Sequence, residues 1–246
     1  MQPKGLTARN SSLWAALPLR ERNRAQTRLA LLDAALAELA TRPFAEVRVA
    51  DLCRAAGTSE QTFFNHFAAK SELLLYFVQL WSLEAAWRAR AFAPDTPPFE
   101  AIERVFAFTA AQVARAPRVM AEVVAHQATI ARPAEAPEIR LAERILRLPG
   151  CDGVESLAAL GIGAIVEHNL RRAAAQGLLD DAVDPAVLSL AVASVLLGTP
   201  AALGPTLHPQ LAALWQAQLT LLWRAARRAG PTAPAKKKKK PAKPRA

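Results

Sequence analysis

From Pro185 to Trp223 the chain runs for 39 residues without one Asp, Glu, Lys or Arg. A helix with no polar face has to be screened from water on most of its sides, so this stretch limits the fold to arrangements in which it meets lipid or protein nearly all round. Its first part is long enough to span a bilayer nominally. Gly198-Thr199-Pro200 and Gly204-Pro205 are expected to break the run, however, and Gln210, Gln216 and Gln218 are costly in lipid. The better reading is two helices of a soluble protein, each with one side in its own domain and the other against a second copy of the chain. An integral membrane protein stands as the alternative.

The rest of the chain also reads as helix. Ala, Leu and Arg abound while Tyr, Val and Thr are sparse, and 52% apolar residues over 246 suffice for a core. Leu29, Leu32, Leu36 and Leu39 recur at helical spacing, which predicts a helix from Arg20 to Thr41, stopped by Pro43. Short helices follow over Val49–Ala56, ended by Gly57, and from a Ser59 cap to His66. Longer ones are expected over Lys70–Phe92, Phe99–Ala116, Pro117–Ala131, Glu138–Leu148 and Val154–Gln176. Two more run from the Asp184–Pro185 start signal to about Leu203 and from Pro209 to Ala229. That makes an all-α chain of about ten helices. The Pro94–Pro98 run ends the Lys70–Phe92 helix and reads as a junction in the chain; the domains are set at 19–69, through the second short helix, and 70–230, with 1–18 read as a flexible arm.

Charge is distributed unevenly. Residues 1–70 hold ten Lys/Arg against six Asp/Glu, residues 71–230 fourteen against fifteen, and residues 231–246 seven with no acid. A small basic unit on a neutral body suggests a nucleic-acid reader rather than a nucleic-acid coat. The tail 231–246, which ends in KKKKKPAKPRA, is too charged to fold alone and reads as disordered, its role either phosphate affinity or solubility. Two cysteines and four scattered histidines make neither a disulfide framework nor a zinc site, and Cys53 reads as a small buried residue. There is no phosphate-binding glycine loop, nucleophile elbow or paired-histidine motif, so no enzyme, metal or cofactor is expected. The N-terminus lacks the apolar core of a signal peptide, which places the chain in the cytoplasm, at the nucleoid.

Two short helices joined at Ala56-Gly57-Thr58 and packed under a longer one are what a helix-turn-helix requires, the second entering the major groove with its N-terminal residues at base edges. Polar Ser59, Glu60, Gln61, Thr62, Asn65 and His66 crowd that second helix, unlike an ordinary core hairpin, while Phe63 and Phe67 brace it from beneath. The stretches LALLDAALAEL (29–39) and VADLCRAAGTSEQTFFNHFAAKSELL (49–74) resemble the tetracycline-repressor (TetR) family, with Ala34–Ala35, Ala56–Gly57, Ser59, Thr62, His66–Phe67 and Lys70 at its motif positions. The resemblance implies a three-helix DNA-binding domain followed by a larger helical domain that binds a small ligand and dimerises through its last two helices as a four-helix bundle. It implies base contacts by Glu60, Gln61 and Thr62, backbone or base contacts by Phe64 and Asn65, and phosphate contacts by His66 and Lys70. Gln61 suits adenine and Glu60 suits cytosine N4. Arg48 stands where the family usually has a capping Thr, exchanging the cap for a phosphate contact, and Phe64 replaces a common Tyr.

The function expected is a sequence-specific regulator, a homodimeric repressor on a two-fold symmetric operator, released by a small, largely apolar effector. A non-specific DNA-binding protein is the second reading. Phe106, Phe108, Met120, His126 and His168 fall on helices that would surround a pocket, although single histidines on helices are more often satisfied polar residues. Leu196 and Leu222 are expected at the dimer seam.

Overall fold

The computed structural model describes residues 3–129, 137–157, 161–203 and 208–227. Among these residues eleven α-helices follow one another: α1 (Ala8–Ala16), α2 (Leu19–Leu39), α3 (Val49–Ala55), α4 (Glu60–His66), α5 (Glu72–Arg88), α6 (Pro98–Arg115), α7 (Pro117–Thr129), α8 (Leu141–Arg147), α9 (Ile162–Ala175), α10 (Pro185–Leu203) and α11 (His208–Ala226). Single 3₁₀ turns lie at Phe44–Glu46 and Val154–Ser156. Among the described residues there is no strand, only one bridge between Leu179 and Arg227. The tail, 231–246, lies outside the described residues.

Helix α2 packs on α3, and α3 on α4, forming a small three-helix unit. Helix α5 is the spine. It buries Leu73, Leu74, Tyr76 and Phe77 near its start and Leu80, Trp81, Leu83 and Ala85 further on. A helix apolar on all sides is stable only inside a core, and α5 meets α2 on one flank and α6, α7 and α8 on others. The larger half closes with α6 against α9 and α11, and α10 against α9 and α11. Trp215 and Trp223 are 1% and 3% exposed, each contributing a few kcal/mol of apolar burial. Trp215 stands edge-on to Phe106, and Trp223 lies against Phe99 while donating to Glu103 Oε1 at 2.9 Å.

Three sequence expectations are corrected. Residues 8–16, read as part of a flexible arm, form α1. Thr7 Oγ1 accepts from the Asn10 amide, Trp14 is buried, and Asn10 Nδ2 donates to the carbonyls of Leu148, Pro149 and Cys151 at 3.4, 3.0 and 2.9 Å. Arg9 pairs with Glu155. One long helix is expected over Val154–Gln176, but the chain makes a 3₁₀ turn at Val154–Ser156 and leaves helix at Leu157, and α9 is a separate helix from Ile162 to Ala175. Gly153 is left-handed at φ 83°, and the Leu157 carbonyl, which a continuing helix would use, accepts instead from Arg144 Nη1 at 2.6 Å. Helix α10, finally, continues through Gly198-Thr199-Pro200 to Leu203. A proline removes one backbone bond, and the flanking residues are anchored to α11 by Thr199 Oγ1 donating to Gln218 Oε1 and Trp215 Nε1 donating to the Val195 carbonyl.

Candidate nucleic-acid interface

Helix α4 is positioned at both ends. Gly57 takes φ 66°, the left-handed turn that brings α4 back across α3, and no atom lies within 4 Å of where its Cβ would be, so backbone conformation rather than space calls for glycine. Ser59 then caps the helix, its Oγ accepting from the Thr62 amide at 3.1 Å and lying 2.9 Å from Thr62 Oγ1. Arg48, at the equivalent position of α3, makes no side-chain cap and is exposed. Beneath α4, Phe63 and Phe67 are buried ring to ring at 5.6 Å, and Phe67 stands 5.5 Å from Tyr76 of α5. Cys53, on the buried face of α3, has its thiol pushed up by burial and the nearby Glu60, and it is free.

The outward face of α4 carries Glu60, Gln61, Phe64 and Asn65, all exposed and spaced i, i+1, i+4, i+5, one stripe of a helix. Phe64 leaves half its surface in water. Gln61 Nε2 donates to Asn65 Oδ1 at 3.2 Å, which holds both amides on that stripe. Thr62 is half-buried and turned toward its cap. Seven of the nine expected DNA-contact residues, Ser59, Glu60, Gln61, Thr62, Phe64, Asn65 and His66, thus belong to α4 or its cap, while Arg48 is exposed at the start of α3.

Lys70 is the exception. Its ammonium donates to the carbonyls of Phe44 (2.7 Å), Ala45 (3.4 Å) and Val47 (2.8 Å) and lies 4.5 Å from the Phe44 ring. All three donors are occupied internally and burial pulls its pKa down, so its place in this structure is to hold the 3₁₀ turn rather than to present a charge to phosphate. His66 is half-buried beside Arg24 and Arg28; burial and those two guanidiniums lower its pKa, so the imidazole is neutral near pH 7. The half-buried cation that α2 offers there, Arg24, was not singled out from sequence, because a single arginine on the polar side of an amphipathic helix carries no signal.

Among the contacts that join this unit to the larger half, two involve polar groups of note. Arg28, 3% exposed, donates to Glu143 Oε1 at 2.6 Å and to the Glu138 carbonyl at 3.1 Å, with its guanidinium 4.1 Å from the Tyr76 ring and 5.1 Å from Phe67. Tyr76 Oη donates to the same carboxylate oxygen at 3.0 Å; burial and Glu143 push its hydroxyl well above the ordinary range, so it remains a donor. In the second contact, Glu122 of α7 accepts from the Phe44 amide at 3.2 Å, and His126 tilts against the Phe44 ring at 5.9 Å.

The five residues expected around an effector are dispersed. Phe106 and Met120 are buried in the core. His126 sits on Phe44, Phe108 lies under Arg88 at 5.7 Å, and His168 meets Phe92 edge-on at 4.9 Å. None lines either of two clefts in the larger half. One, of about 430 Å³, is lined by Trp87, Arg88, Arg90, Phe92 and Leu157 with Ala86 and Ala93. The other, of about 710 Å³, lies among Pro97, Phe99, Glu100, Glu103, Leu178 and Arg227, where its charges are mixed.

A helical body with a capped, outward-facing helix on a three-helix unit defines the class of helix-turn-helix proteins. Residues 31–77 match the profile of the bacterial regulatory proteins of the tetR family. The chain is similar to the Thermus thermophilus FadR, a TetR-family transcriptional repressor solved with lauroyl-CoA, at 20% identity and TM-score 0.58, covering 84% of this chain and 98% of that one. It is similar to TylP, a TetR regulator from Streptomyces fradiae, at 18% identity and TM-score 0.55, covering 82% and 87%. SmeT, the repressor of the Stenotrophomonas maltophilia multidrug efflux pump SmeDEF, superposes at 20% identity and TM-score 0.52, covering 85% and 96%. No curated protein matches the sequence. Residues 31–77 thus match the DNA-binding domain of tetR-family regulators, and the chain as a whole shares the fold of these solved structures.

Proposed function

We propose that this chain is a homodimeric, sequence-specific DNA-binding repressor of transcription in the cytoplasm, which leaves its operator when a small effector occupies the larger half. Residues 19–69 read and residues 70–230 dimerise and respond. The observation that carries the reading is the exposed stripe of Glu60, Gln61, Phe64 and Asn65 on a helix whose other side is locked by Phe63 and Phe67. Polar side chains held on a rigid helix and free of core contacts have the form of base-edge readers.

Dimerisation is supported by α10 and α11. Helix α10 is long and apolar enough to cross a membrane, with mean hydropathy 2.0, yet only Leu188, Val192 and Thr199 are buried. Val187, Leu190 and Leu197 are 63%, 69% and 46% exposed, and Leu221 of α11 is 64% exposed. A second copy packing the same two helices would cover this surface as a four-helix seam. Leu196 and Leu222, expected at that seam, are half-buried in the chain's own core, so Leu190 and Leu221 are its better markers.

Fragments of the source genome selected on the purified full chain test the reading. The expected product is a site with a dyad, its half-sites about one helical turn apart or slightly more. Gln61→Ala should erode preference for that site by about 1–3 kcal/mol. Equal affinity for random DNA, or a protected site without a dyad, would overturn it.

A further inference from the structure

We propose that the cleft at the C-terminal end of α5 binds an aromatic monocarboxylate, an inference that rests on the effector role proposed above and names the chemistry of that effector. Its volume of about 430 Å³ falls within the range of small-molecule sites, roughly 300–1,000 Å³. Two walls are aromatic. Trp87 is fixed by its Nε1 donating to the Asp152 carbonyl at 3.2 Å, and Phe92 by the edge of His168 at 4.9 Å. Leu157 closes a third side. Flat, apolar walls held in place by polar contacts on their outer edges suit a ring system.

The anion is indicated by the arginines at the mouth. Arg88 donates through Nε to Glu84 Oε1 at 2.9 Å, and Glu84 is shared with Arg147, whose Nη2 lies 3.3 Å from its other oxygen. Among the described residues Arg88 makes no further hydrogen bond, so its two terminal nitrogens remain for a carboxylate, which a guanidinium binds as a fork. Its side chain is half-exposed over Phe108. Arg90 occupies the opposite rim with φ 51°, a left-handed conformation that side-chain-bearing residues rarely adopt, at the helix-ending position where glycine is usual. Its Nη2 alone engages Asp95, at 2.8 and 3.0 Å. Behind the loop between them, Arg172 donates to the carbonyls of Pro94 and Thr96 and to Asn169 Oδ1, adding a third guanidinium that no carboxylate contacts among the described residues. The nearby Asp152 carboxylate is engaged by Thr7 of the α1 side at 2.5 Å.

Occupancy here would act on the reader through α5 itself. Trp87 and Arg88 are in its last turn, and Tyr76, three turns earlier, belongs to the Arg28–Glu143 contact that braces the base of α4.

Calorimetry on the full-length protein with 2-naphthoate and its neutral isostere 2-naphthamide tests the cleft without DNA. One site per chain is expected, with the carboxylate bound about tenfold or more tighter than the amide. Arg88→Gln should remove most of that preference, Arg88→Lys should restore part of it, and Phe92→Ala should weaken both probes alike. Equal binding of acid and amide, or binding indifferent to both Arg88→Gln and Phe92→Ala, would overturn the proposal. Operator binding is then measured with and without 2-naphthoate. A chain that prefers no DNA site at all refutes the regulator reading, whereas the calorimetric series decides the cleft by itself.

Discussion

Replacing Arg28 by Met removes a cation from a place where neither ion-pair partner meets water, since the side chains of Arg28 and Glu143 are 3% and 1% exposed. In the native chain the Glu143 carboxylate accepts from Arg28 Nη1 at 2.6 Å, Tyr76 Oη at 3.0 Å and the Arg140 amide at 2.7 Å. The variant keeps two of these bonds but leaves the charge uncompensated, and it loses the stacking of the guanidinium on Tyr76. Breaking a buried pair from one side costs about 3–5 kcal/mol. Against a total stability of about 5–15 kcal/mol, that is a large share. Urea unfolding at several protein concentrations measures it, the concentration series separating fold stability from dimer dissociation. The double variant Arg28→Met/Glu143→Leu should recover most of the loss, because an abandoned carboxylate, not a missing bond, carries the cost. A single variant within about 1 kcal/mol of the native chain, or a double variant no better than the single one, would refute this account.

Leu190→Glu and Leu221→Glu should give a folded monomer by sedimentation with an unchanged helical circular-dichroism spectrum, since both positions are exposed within one chain; a dimer that survives both changes would move the seam elsewhere. Lys70→Met should lower stability by roughly 1–3 kcal/mol while leaving the salt dependence of DNA binding unchanged, whereas a phosphate contact would shift that slope by about 0.9. Deleting residues 231–246, with their seven positive charges, should flatten the slope and weaken operator and random DNA by similar factors, as titrations in increasing salt will report. Stability should fall as pH drops below about 6.5. Burial lowers the pKa values of His66, His126 and His168, with Arg24 and Arg28 adding to the first and Arg172 to the last, so the unfolded chain binds more protons through that window. Denaturant midpoints that stay level from pH 7 to 5 would contradict this.

The amino-acid sequence determined the elements whose causes are local. Ser59 caps α4 because its hydroxyl reaches an amide three residues on, Gly57 turns the chain because it lacks Cβ, and Asp184–Pro185 starts α10 because both residues favour a helix N-terminus. The exposed face of α4 was legible for the same reason, since 3.6-residue periodicity separates Phe63 and Phe67 from Gln61, Phe64 and Asn65. Only the tertiary structure decided what depends on distant partners. Helix α1 has one apolar turn, and the carbonyls that hold Asn10 lie some 140 residues further along the chain. Arg28 looks in sequence like any solvated helix arginine, and it is buried only because Glu143 of α8 and Tyr76 of α5 arrive around it from the other half of the molecule. The family resemblance implies a phosphate contact for Lys70, yet its ammonium donates to the carbonyls of Phe44, Ala45 and Val47, brought within reach by the folding of the 3₁₀ turn. The cleft beside Arg88 is formed by residues of α5, the loop after it and Leu157, and no periodicity along the chain marks residues that become neighbours through a bend. Capping and turn preference act over a few residues, whereas burial, ion pairing and pocket formation depend on which surfaces meet once the helices have packed.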